Sequence, residues 1–161
     1  MRIPRTATVA LAGLTALAWL LVAALGATNQ AATTMGFIPA RLSGLVDLTP
    51  AVPTLLTPLS STLVHGGFVH LAFNLLMLLW CGTAVERALG RGALLILYGI
   101  GAYAAAIAQW LADPGSIVPV IGASGAISAV IGAFALSFGE TRRITASPPE
   151  RRSWILMPVS C

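Results

Sequence analysis

Charge is what this sequence has least of: nine Lys or Arg and five Asp or Glu make up 9% of 161 residues, while 57% are apolar. A soluble globular domain carries about a quarter of its residues charged, so water is excluded as the main solvent. Lysine is absent altogether, and the nine basic residues are arginines scattered in ones and twos. With no basic helix and no interleaved aromatics, the net charge of +4 does not read as a nucleic-acid surface. Two cysteines, Cys81 inside an apolar run and Cys161 at the last position, imply no disulfide framework. The two histidines, His65 and His70, are five residues apart with no Cys, Asp or Glu at ligand spacing, which speaks against a metal site.

What the chain has instead is long apolar runs. The first, 7–27, is uncharged and follows Arg2 and Arg5. A helix of that length crosses about 30 Å of hydrocarbon. A cleavable signal peptide is the rival reading, but the run is long for a signal core and further apolar segments follow, which favours a retained helix. Residues 28–64 form a long outer loop, since Pro39, Pro50, Pro53 and Pro58 rule out a continuous spanning helix. Phe37, Ile38, Leu42, Leu45 and Val46 make that loop apolar enough to rest against a membrane.

Further helices are expected over 68–85, 92–112 and 124–138, with a fifth starting at 154 and running to 161. Asp113-Pro114-Gly115 is a strong turn between the third and fourth. The fold expected is an all-α polytopic membrane bundle with four spanning helices and the start of a fifth, in one domain over 1–161. With the N-terminus in the cytoplasm, every arginine except Arg41 falls on the cytoplasmic side. The potentially reactive residues then gather at the outer face.

Polar groups inside spanning helices demand a reason. His70 and Asn74 lie four apart, on one helix face that continues through Met77 and Cys81. They could be packing glue between helices. Gly122-Ala123-Ser124-Gly125 puts a serine at a helix N-terminus, where free N–H groups and the positive dipole end can hold an oxyanion. That serine could equally be a cap. From it Ser128, Gly132 and Ala135 recur at helical spacing, a face that admits close helix approach. Fifteen residues give about 22 Å of helix against about 30 Å of core, so Ser124 would lie about 8 Å below the outer surface.

Together, His65-Gly66-Gly67-Phe68-Val69-His70-Leu71-Ala72-Phe73-Asn74 and Gly122-Ala123-Ser124-Gly125 resemble the paired motifs of rhomboid intramembrane serine proteases. Gly82, Glu86 and Gly90 match the family pattern at the end of the same helix. The resemblance implies that Ser124 is the nucleophile, that His70, Asn74 and the Ser124 backbone N–H line the oxyanion hole, and that His65 orders the loop above. Gly122, Gly125 and Glu86 would support them. It implies transmembrane protein substrates cut near the outer face, no cofactor and no metal, and, with the short loops, a bacterial inner membrane.

Two features depart from the family. The first loop has no tryptophan, and Arg41 is only a loose substitute for the usual Trp-Arg pair. The general base implied by the resemblance is a histidine on a sixth helix, whereas this sequence stops eight residues into its fifth apolar segment. A serine hydroxyl needs a base to become a good nucleophile. The expectation is therefore a truncated serine endopeptidase, inactive as it stands, lacking most of the fifth helix and all of the sixth. The alternatives are an inactive rhomboid-like protein that binds transmembrane helices, and a transporter or channel fragment.

Overall fold

The computed structural model describes residues 7–138. The expected fifth segment, 154–161, the connection 140–152 and all the arginines but Arg41, Arg87 and Arg91 lie outside the described residues. Within them the chain is helical. Its only strand-like pairing among the described residues is an isolated antiparallel bridge between Phe37 and Val120.

Helix α1 spans Ala7–Ala24, and its pattern is inside out. Leu14, Leu17, Leu20 and Leu21 are exposed, and Thr8, Ala12 and Thr15 are buried against the rest of the protein. A water-soluble helix would turn its leucines inward; in lipid, which solvates leucine well, small residues make the helix contacts. The N-terminus of α1 is held by Glu86, whose carboxylate accepts from the N–H of Ala7 (2.7 Å), the N–H of Thr8 (2.9 Å) and the Thr8 hydroxyl (2.6 Å). A carboxylate there satisfies orphan donors and meets the positive end of the helix dipole.

The long outer loop over 28–64, loop 1, contains no spanning helix but several short ones: α2 (Thr28–Met35), α3 (Pro39–Leu42) and α4 (Thr57–Ser60), with single turns at Thr54–Leu56 and Ser61–Leu63. Prolines open α3 and α4, where a missing N–H costs nothing. The expectation that Phe37 and Ile38 rest on the membrane is corrected. They are 2% and 3% exposed, packed inside the protein, whereas Leu42 and Leu45 do point outward.

Helix α5 (Phe68–Met77) passes through a wide turn at Leu78–Gly82 into α6 (Thr83–Ala112). The helix expected to stop at about residue 85 continues past Glu86, whose carboxylate accepts hydrogen bonds from the start of α1. The break comes at Gly90, whose backbone (φ 85°, ψ 162°) is non-helical. Leu71, Asn74, Leu78 and Cys81 face inward, and Val69, Phe73, Leu76 and Trp80 face out. Helix α7 (Ser124–Phe138) packs chiefly on α6. There a Cβ on Gly101 would come within 2.8 Å of Ala126 O and Ala129 Cβ, and one on Gly125 would collide with Ala105. Two helical stretches, Ala7–Ala24 and Phe68–Ala112, are long and apolar enough to cross a membrane, and α7 is apolar but shorter.

Candidate active site

The segment 113–123 that leads to Ser124 has almost no regular structure of its own, so its position must come from elsewhere. Loop 1 supplies it. Phe37 and Val120 exchange both backbone hydrogen bonds (3.0 and 2.7 Å), Ala40 N–H donates to Ser116 O (3.0 Å), and Gly122 N–H donates to Ser61 O (2.9 Å). Side chains add a relay: Trp110 Nε1 donates to Ser43 Oγ (2.9 Å), which donates to Pro114 O (2.8 Å). None of these loop partners was visible as a site residue in the sequence.

From the other side, α5 presents its histidine. Gly122 has φ +107°, and a Cβ there would lie 2.6 Å from His70 Cε1 and Nε2. Glycine is therefore required twice over, by conformation and by the ring beside it. Asn74, buried one turn further along α5, donates its amide to His70 O at 2.8 Å. The rings of His65 and His70 meet edge to face, with centroids 4.9 Å apart.

His65 is 1% exposed, and its Nε2 accepts the Ala123 N–H at 3.5 Å. The ring proton therefore sits on the buried Nδ1, on the side of the Leu63 backbone carbonyl. Burial first, and then the neighbouring His70, pull the His65 pKa down to about 4. At neutral pH the ring is neutral and serves as an acceptor.

Ser124 opens α7. The first bond of that helix runs from Ile127 N–H to Ala123 O (2.9 Å), which leaves the N–H groups of Ser124, Gly125 and Ala126 without intrahelical acceptors. Ser124 lines a cavity of about 160 Å³ together with Gly122, Gly125, Phe37, Ser61 and the α6 residues Ala102, Ala105, Ala106 and Gln109. On its other side the serine is exposed, as are Ser128, Gly132 and Ala135 along the small-residue face of α7. Thus Ser124 joins its cavity and a helix face left exposed among the described residues. His65 and His70 lie against the segment just before it, and Asn74 supports His70. Glu86 is remote, at the α1 N-terminus. No group of three or more His, Cys, Asp or Glu that could hold a metal occurs among the described residues.

A family model described as "Rhomboid domain" matches residues 53–160, the stretch that contains His65, His70 and Ser124. The chain belongs to the rhomboid family. Rhomboids are integral membrane proteins that include intramembrane serine proteases. Among curated relatives, the rhomboid protease GluP of Bacillus subtilis is 44% identical over 79 residues, covering 49% of this chain and 14% of GluP. The protein named "Putative rhomboid protease YdcA", from the same species, is 36% identical over 80 residues, covering 50% of this chain and 38% of YdcA. The chain thus spans well under half the length of either. No solved structure matches it significantly. The family includes intramembrane proteases, and both of these relatives come from a bacterium.

Proposed function

We propose that this chain carries the catalytic serine of a rhomboid endopeptidase of the bacterial inner membrane, with Ser124 as the nucleophile that attacks a peptide bond of a transmembrane substrate near the outer face. The observation that carries the reading is the placement of Ser124. It stands at a helix N-terminus with free N–H groups, in the wall of a cavity, and the residues before it are braced by His65 and His70. In this reading His70, Asn74 and the Ser124 N–H surround the oxyanion, donors fixed in advance where charge develops. Gly122 and Gly125 keep the approach open, and His65 holds the Ala123 N–H.

In this reading the general base is the histidine that the resemblance assigns to a sixth helix. The exposed face Ser124, Ser128, Gly132 and Ala135 is where such a helix would seat, close enough to bring an imidazole to the serine. The membrane domain then has four spans before the fifth: α1, the stretch from α5 to the Gly90 break, the rest of α6, and α7. Its N-terminus is cytoplasmic, and Glu86 braces the cytoplasmic end.

The test is covalent labelling. A fluorophosphonate probe applied to the full-length gene product is expected to modify Ser124 and to leave Ser124→Ala unmodified. Equal labelling of both proteins would remove Ser124 from the role of nucleophile.

A further inference from the structure

Beside the cavity that holds Ser124 lies a second one of about 140 Å³, lined by Leu42, Leu55, Tyr103 and Ile107 among others. Those four are exposed, so this cleft opens on the outer apolar surface of the protein between loop 1 and α6. It is closed on one side by the Tyr103 hydroxyl donating to Leu55 O at 2.9 Å. Three residues, Phe37, Pro58 and Ala106, line both cavities and so form the wall between them. Phe37 is the largest of the three and is 2% exposed. Its backbone is fixed to Val120, two residues before Gly122, so the ring is carried by the same pairing that places the serine.

We propose that Phe37 is a specificity-determining residue: its ring closes the serine's cavity against the apolar cleft and so limits the apolar group that can occupy that cavity to a small one. The proposal rests on the reading of Ser124 as the nucleophile. Pro58 cannot swing aside, because its ring is part of the backbone at the start of α4. Ala106 presents one methyl. The size limit therefore lies with the Phe37 ring. Shortening it joins two volumes, of about 160 and 140 Å³, into one that reaches the lipid-facing surface.

The experiment compares ethyl and octyl fluorophosphonates on full-length protein. The unmodified protein is expected to react with the ethyl probe and poorly with the octyl one. Phe37→Ala raises the octyl-to-ethyl rate ratio by ~10-fold or more, the scale on which a pocket discriminates a single methylene. Phe37→Leu, which keeps an apolar plug and spares the fold, gives an intermediate ratio. An unchanged ratio in both variants overturns the proposal. A parallel arm does not depend on serine reactivity. Ser124→Cys, with Cys81 and Cys161 changed to Ser, is treated with N-ethylmaleimide and N-octylmaleimide, and the same rise in ratio on Phe37→Leu or Phe37→Ala is expected. If no fluorophosphonate labels Ser124 in the unmodified protein, the nucleophile reading fails, and the maleimide ratio alone then upholds or overturns the partition.

Discussion

His65 accepts the backbone N–H of Ala123, the residue immediately before Ser124, and thereby links the loop ahead of α5 to the start of α7. An acceptor is needed there, so the ring must stay neutral. Its pKa of about 4 in the folded protein lies below the ordinary histidine value of 6.5. The unfolded chain therefore takes up a proton between those two values while the folded protein does not. Stability is unaffected by this group above pH 6.5 and falls as pH drops from 6.5 toward 4, by as much as about 3 kcal/mol from this site. Thermal unfolding of detergent-solubilised full-length protein across that range should show the loss. His65→Gln, which keeps an acceptor without a titrating ring, should flatten it. An equal slope in that variant would assign the pH dependence to another group.

Glu86 and Thr8 make the second testable contact. Three hydrogen bonds to one carboxylate hold the beginning of α1 to the helix before the Gly90 break. Charge-assisted bonds of this kind are worth more than neutral ones, and removing the acceptor strands the α1 donors. Glu86→Ala should destabilise the protein by ~2–4 kcal/mol, and Glu86→Gln by less, since an amide oxygen still accepts. Equilibrium unfolding of the two variants checks the order. Identical losses would mean that the charge alone matters.

The motif residues were legible because each motif is local. Four residues along a helix bring His70 and Asn74 to one face, and a serine among glycines announces a helix start. The bracing of the site was not legible. Phe37 with Val120, Ser61 with Gly122, and Ser43 with Trp110 pair irregular segments far apart in sequence, where no periodicity signals contact. Polarity misled at one place. Glu86 suggested a helix end, and its carboxylate is instead consumed by α1 while the helix runs on to the Gly90 break.

The Ser43 relay tests whether loop 1 positions the serine. Ser43 Oγ receives the Trp110 indole proton and passes its own to Pro114 O. Ser43→Ala and Trp110→Phe should each slow probe labelling of Ser124 several-fold. The double variant should cost about as much as either single one, because both changes break one relay. Ser43→Thr keeps the hydroxyl and should retain most of the rate. Additive losses would show two independent contacts.

Gly122 has no room for change. Even one methyl at φ +107° would press on the His70 ring at 2.6 Å. If His70 is the oxyanion donor proposed above, Gly122→Ala should reduce activity by ~100-fold or more, while the protein still inserts and purifies. Undiminished turnover would separate His70 from the chemistry.

The most direct test of the account is cleavage itself. Full-length protein in liposomes is incubated with a single-span membrane reporter, and the fragments are sized. The account predicts one cut near the outer face that disappears in Ser124→Ala; the same cut made equally well by Ser124→Ala would contradict it.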